Sequence, residues 1–446
     1  MHRLTISENP IWALAKKYNL KNTYSNYSSI LTYNETGYTD YSHILDTYEK
    51  VFSKASEQAG RILTENLQDQ TARTGLALAG WRPRKGDMAA QAVEWWSWGR
   101  EAVLSCTETQ LTHNTDWEDG FSPETSSFVF GVAGENLTFN QFGDANNLAI
   151  DPRGYRAIIA GEASSFLRPN DPRLRLNTQV MDIEYSQHGV SVYNEDGSCV
   201  TAAYAISTFS LGVLQNRAVK FTPELPYWKE SAIHKFNMGT YTKVFMQFSE
   251  TFWPNDTQYF LYASPTTRGY YPVFQSLSTE GFLPGSNILF VTVVGEESYR
   301  IERQTDMETK DEILAVLRQM FPDKHVPEPM AFLYPRWTTE PWSFGSYSNW
   351  PAGTTLEMHQ NLRANTGRLW FAGEATSAPY FGFLHGAWFE GKAAGEEIAA
   401  LLQGRCSDSD GVQGCSGRRH YESLHGTTPG NAYSAMNGWP VDSVNV

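Results

Sequence analysis

The residues best spaced to do chemistry lie between Arg368 and Leu402, RLWFAGEATSAPYFGFLHGAWFEGKAAGEEIAALL. Arg368-Leu-Trp-Phe-Ala-Gly373 is a short apolar run ending in glycine, the pattern of a buried strand that stops at a site. Gly382, Gly386, Ala387, Gly391, Ala394, Gly395 and Ile398 then recur at helical spacing, with Lys392, Glu396 and Glu397 largely on other faces. This predicts an amphipathic helix with a small-residue face. Such a face lets a backbone or a flat ligand approach closely, and the first helical turn offers free N–H groups to an anion. The same spacing equally fits a helix packed tightly on a sheet. A second stretch, Tyr241-Thr-Lys243-Val-Phe-Met-Gln-Phe248, alternates as a strand of a half-buried sheet does. Val244, Met246 and Phe248 share one face, and Tyr241, Lys243 and Phe245 share the other. Read alone, a lysine between two aromatics on a strand is a surface residue that lays its stem along apolar neighbours.

Phe371-Ala-Gly373-Glu374-Ala-Thr-Ser-Ala-Pro-Tyr-Phe-Gly382-Phe383-Leu384-His-Gly386-Ala resembles the C-terminal flavin signature of FAD-dependent amine oxidases, above all the polyamine oxidase branch of plants and fungi. The resemblance runs from about Asn9-Pro-Ile-Trp12 to Leu402. It reverses the reading of Lys243, which matches the family's lysine that holds a water against flavin N5. Glu94-Trp-Trp-Ser-Trp-Gly-Arg-Glu101 resembles an aromatic-acidic segment in which Glu101 matches a carboxylate of the substrate tunnel. Without the resemblance, Glu101 is a helix-surface glutamate. Tyr347 and Phe383 match two aromatics that flank the substrate chain, with phenylalanine standing where tyrosine is common, and Tyr241 joins them as a substrate contact. Val180, Trp337, Gly373, Glu374, Gly382, Phe383 and Leu384 match cofactor-binding positions. Core packing fits Trp337 and Trp350 as well. The cofactor implied is FAD, and no metal is expected.

The elements that must position these residues follow from local patterns. Helical spacing covers 40–66 and 88–104, and Asp151-Pro-Arg-Gly-Tyr155 leads into an Ala/Ile-rich helix. Strands are predicted at 180–185, 190–193 and 200–208, then at 260–262, 270–275 and 288–293, with a helix over 296–321. The resemblance implies an α/β fold of mixed α+β character. It has a FAD-binding domain, Rossmann-like but incomplete here, and a substrate domain with a mixed sheet flanked by helices. The expected boundaries are 1–20 for a remnant of the FAD region and 21–150 for the first, mostly helical part of the substrate domain. Residues 151–214 form a FAD-domain meander, 215–350 the second substrate part, 351–403 the C-terminal FAD segment and 404–446 a disordered tail.

No G-x-G-x-x-G occurs in the 446 residues. The family's opening strand, glycine turn and helix are therefore expected either to precede Met1 in a longer product or to have been lost, and the chain as it stands is expected to hold FAD weakly. The formal charge of −14 argues against nucleic acid and anionic membrane surfaces and suits a small cationic amine, with oxygen as second substrate. No run approaches a transmembrane span. A monomer is expected.

Cys106, Cys199, Cys406 and Cys415 form no metal pattern. Cys406 and Cys415 are expected to pair, with Cys106 and Cys199 buried and free. N-x-S/T acceptors at Asn26, Asn34, Asn136 and Asn255 lean towards the secretory pathway, although Met1-His-Arg-Leu-Thr-Ile does not read as a signal peptide. Three functions are consistent with these residues. They are polyamine oxidation with release of hydrogen peroxide, a non-catalytic relative without stable FAD, and oxidation of another amine or a secondary metabolite.

Overall fold

In Tyr241–Gln247 the residues alternate between half-buried and buried, as a strand with one face on a core requires. In the computed structural model, which describes residues 8–64, 67–96, 116–135, 142 and 147–404, this strand lies second in a seven-stranded sheet. The order is Ala331–Leu333, Tyr241–Gln247, Ile288–Val294, Val273–Ser276, Tyr259–Tyr262, Ile30–Asn34 and Gly37–Tyr38. All neighbours are antiparallel except Tyr259–Tyr262 and Ile30–Asn34, which run parallel. Lys243 stands opposite Thr292, and Val244 opposite Val291. Val244, Met246, Phe274 and Val291 belong to a core shared with Ile301, Ile313 and Leu317 of the helices Gly295–Glu302 and Asp306–Met320. One face of the sheet is thereby sealed, and the side chains of Tyr241, Lys243 and Phe245 occupy the other.

A second core joins the helices Ser42–Thr64, Ala72–Ala79, Met88–Trp96 and Phe128–Glu135 through Tyr48, Phe52, Leu76, Trp95, Trp96 and Phe128. It continues into Phe371 of Leu369–Phe371, which pairs in parallel with Ala205–Ser207. A four-stranded meander has the order Cys199–Ala202, Val190–Asn194, Val180–Tyr185 and Lys220–Thr222. Near the N-terminus, Pro10–Lys17 starts on Asn9, whose Oδ1 accepts the Ile11 N–H at 2.9 Å, and Pro10 occupies the first helical position.

The fold is the mixed helix-and-sheet class expected. Three elements differ from their sequence reading. The helix over 296–321 divides at Arg303–Thr305, because Thr305 and Glu308 form a reciprocal capping box that starts a new helix. The run 270–275 becomes a strand only at Val273, since Tyr271 has φ +42° and Pro272 has no N–H to give a ladder. The stretch 200–208 divides between two sheets, Cys199–Ala202 in the meander and Ala205–Ser207 beside Leu369–Phe371. Cys199, expected to be buried, is an exposed thiol, because its whole short strand is solvent-facing. Cys106, Cys406 and Cys415 lie outside the described residues, as do 97–104 of the second predicted helix and 405–446 of the tail. No described helix is long and apolar enough to cross a membrane.

Candidate active site

Two glycines let the C-terminal segment bend into a cavity. Gly373 has φ +145° and precedes the short 3-10 turn Glu374–Thr376. Gly382 has φ +78°, and a Cβ there would lie 3.4 Å from both the Ser348 carbonyl and Tyr347 Cδ2. Between them, the Glu374 carboxylate accepts the Ser348 N–H at 3.0 Å, the Ser348 hydroxyl at 2.7 Å and the Gly382 N–H at 2.7 Å. Its two oxygens are thus engaged by protein donors, and Glu374 fastens Gly345–Trp350 to the turn before the last helix. That helix, Leu384–Leu402, begins on Phe383, which supplies no side-chain cap. Leu384 is partly exposed, at 46%. Gly386 is packed against the preceding loop so closely that a Cβ would fall 2.1 Å from the Tyr380 carbonyl. Gly391 and Gly395, in contrast, face open space, so only part of the predicted small-residue face is covered.

The cavity encloses about 230 Å³ and is lined by Tyr241, Tyr347, Gly382 and Phe383, four of the positions singled out in the sequence. Asp119, Gly131, Gly134, Ser348, Asn349 and Phe381 complete it. The Tyr241 and Tyr347 rings lie 5.8 Å apart. Gly120 explains how Asp119 comes so near: with φ +70°, its missing Cβ would be 3.1 Å from the Tyr347 hydroxyl. Nothing in the local sequence of Asp119 marks it, since an Asp-Gly pair reads as a turn.

Lys243 lines a second, smaller cavity of about 70 Å³ with Ser25, Tyr259, Gln275, Thr292 and Tyr241. Tyr241 belongs to both cavities and so forms part of the wall between them. The Lys243 ammonium sits 5.3 Å from the Tyr241 ring centroid and 5.5 Å from that of Phe290, an aromatic setting that suits a cation. Tyr259 shares a 2.7 Å hydrogen bond with Ser25, and burial pushes its phenol up, so it stays protonated.

Trp337 opens a 3-10 turn, Trp337–Thr339, whose first carbonyl accepts the Gly345 N–H at 2.8 Å, two residues from Tyr347. Trp350 is buried, stacked 4.7 Å from His359, whose Nε2 meets the Ala375 carbonyl at 3.1 Å. Burial pushes His359 down to about 3 and His385 down to about 4. Val180 opens a strand of the separate meander, in a different sheet from Lys243. Glu101 lies outside the described residues.

The site fits the ring end of a flavin. An uncapped helix N-terminus offers backbone donors for a region that becomes negative on reduction, and two positive-φ glycines with aromatic walls leave room for a flat ring. A mixed sheet with one helix-covered face and a parallel strand pair that feeds a glycine turn and a helix N-terminus suit an enzyme that holds a flat cofactor. The comparisons agree. The family described as flavin containing amine oxidoreductase matches residues 1–399, and the chain belongs to it. FAD is the cofactor of that class.

Polyamine oxidase 7 of Oryza sativa subsp. japonica is 46% identical over 262 residues, 57% of this chain and 55% of its own length. Polyamine oxidase 1 of Zea mays is 44% identical over 275 residues, 60% of this chain and 54% of its own. The chain therefore spans about half the length of these curated relatives. An engineered triple mutant of putrescine oxidase superposes with a TM-score of 0.66 at 15% identity, covering 88% of this chain and 85% of its own, which shows the shared fold.

Proposed function

We propose that this chain oxidises a linear polyamine of the spermine or spermidine type at a carbon beside a secondary nitrogen. With oxygen and water as co-substrates, the products are an aldehyde, a smaller amine and hydrogen peroxide. The observation that carries this reading is the one cavity that Tyr241, Tyr347 and Phe383 line together with the acidic residue Asp119. Aromatic faces hold a methylene chain and attract neighbouring ammonium groups, and a carboxylate supplies the opposite charge. The −14 formal charge and the polyamine oxidase names of the relatives point the same way.

When bound, FAD would supply the hydride-accepting chemistry for amine oxidation. The chain's own residues do the rest. Tyr347 and Phe383 would hold the alkyl chain, the N-terminus of Leu384–Leu402 would offer backbone donors to developing negative charge, and Lys243 would act in proton handling. The reacting nitrogen must be neutral, so turnover rises with pH as that amine loses its proton.

Peroxide release from spermine, spermidine, their N-acetyl forms, benzylamine and an L-amino acid tests the reading. Preference for benzylamine or the amino acid would transfer the site to another amine, and silence on all substrates by flavin-loaded protein would make the chain a non-catalytic relative. The N-x-S/T sites support passage through the secretory pathway, and Asn255 is exposed.

A further inference from the structure

Glu302 is the last residue of Gly295–Glu302 and is 5% exposed. One carboxylate oxygen, Oε1, accepts the Thr242 hydroxyl at 2.7 Å and lies 3.5 Å from Ser298 Oγ. The other, Oε2, accepts the Thr338 N–H at 2.9 Å and the Thr338 hydroxyl as well. Thr242 and Ser298 are fully buried and lie 2.5 Å apart, hydroxyl to hydroxyl. One carboxylate therefore joins three segments: its own helix, the strand Tyr241–Gln247 and the turn Trp337–Thr339.

The chain neighbours of the two threonines give this junction its meaning. Thr242 stands between Tyr241, which walls both cavities, and Lys243. Thr338 follows Trp337, whose carbonyl holds Gly345, and Ser346 in turn accepts the Tyr241 N–H at 2.9 Å. Among the described residues Glu302 forms no ion pair. The nearby Arg336 guanidinium is instead 2.7 Å from Asp306 and 4.4 Å from the Tyr334 ring centroid. Burying a carboxylate without a direct ion pair is costly, and an apolar residue of similar volume would pack there at less cost. What an apolar residue cannot do is accept donors from two separate segments at once.

We propose that Glu302 is a positioning residue that fixes the Lys243 strand against the Trp337 turn, so that the proton-handling lysine and the flavin-side aromatic keep one relative placement. The carboxylate touches neither substrate nor cofactor. It acts through Thr242 and Thr338. The inference rests on the reading of Lys243 given above.

Three variants of the flavin-loaded protein test it, with hydrogen exchange at the Thr338 amide measured beside kinetics. Glu302→Leu is expected to lower kcat by on the order of 10²-fold, the scale of a misplacement of about 1 Å, while KM stays within about threefold. The Thr338 amide loses protection, and Met246, in the middle of the same strand as Lys243, keeps its own. Glu302→Gln retains an oxygen for Thr338 and an amide for Thr242, and restores both protection and most of kcat. If Glu302→Leu does not fold, Thr242→Val cuts one arm alone and is expected to slow kcat with Thr338 protection intact. Wild-type kcat in Glu302→Leu or Thr242→Val, unchanged Thr338 protection in Glu302→Leu, or a glutamine variant as slow as the leucine one would each overturn the proposal. If Lys243→Met leaves turnover unchanged, the reading of Lys243 falls, whereas Thr338 exchange still decides whether the bridge exists.

Discussion

The Glu374 carboxylate accepts the Gly382 N–H at 2.7 Å across a separation of eight positions, closing a loop whose end lines the cavity. The same carboxylate holds Ser348 by its N–H and hydroxyl, so Tyr347 and Gly382 are placed against each other by one acceptor. Glu374→Gln turns an amide N–H towards at least one of these donors. An unmet buried donor costs about 1–3 kcal/mol. The expected outcome is a lower Tm in the flavin-free protein and weaker flavin retention on gel filtration. Wild-type values for both would show that the loop is held by other contacts.

Lys243→Met keeps the aliphatic stem between Tyr241 and Phe290 and removes the ammonium. Turnover is expected to fall by on the order of 10²-fold, the range for a positioned proton-transfer group. Stopped-flow measurement of flavin reduction and reoxidation checks this. Unchanged rates in both would remove Lys243 from the site.

Asp119→Asn is expected to raise KM for spermine more than for benzylamine, because only the polyamine brings a second ammonium into the cavity that Asp119 lines. Equal effects on the two amines would assign recognition to the aromatic walls alone.

Arg268 places its guanidinium 2.8 Å from Glu94 and 2.5 Å from Asp116, and Glu94 also accepts the Trp81 indole N–H at 2.8 Å. Glu94 is fully buried and Asp116 nearly so. Arg268→Met strands these carboxylates and is expected to lower unfolding free energy by about 3–5 kcal/mol. Arg73 also donates to both oxygens of Glu94, so a loss below about 1 kcal/mol on urea denaturation would mean that Arg73 alone neutralises the cluster.

Stability should fall on mild acidification. His359 and His385 remain neutral in the folded chain down to about 3 and 4, whereas an unfolded histidine takes up a proton near pH 6.5. Below that pH the unfolded state binds more protons, so the stability contributed by each neutral histidine is present above about 6.5 and is lost as pH falls towards the folded value. The slope per histidine is about 1.4 kcal/mol per pH unit. Tm measured from pH 7 to pH 5 should drop, and His385→Gln should flatten the profile. A profile unchanged by that variant would exclude His385.

The strand Tyr241–Gln247 and the helix beginning after Phe383 were legible in the chain, because periods of 2 and 3.6 residues record which face is buried. The flavin signature named Gly373, Glu374, Gly382 and Phe383 for the same reason: a glycine turn followed by a helix is a local device. Partnership across distance left no such record. Nothing in the sequence joins Glu302 to Thr242 and Thr338, or brings Asp119 and Tyr347 to one cavity, since these placements depend on how sheet, turn and helix pack rather than on spacing along the chain. Nor could composition place Cys199, whose exposure follows from its strand lying at the edge of the meander. The sequence by itself determined the fold class, the cofactor class and the residue types of the site. Only the tertiary structure decided that Tyr241 lines two cavities and that Glu302 and Glu374 each accept hydrogen bonds from separate segments.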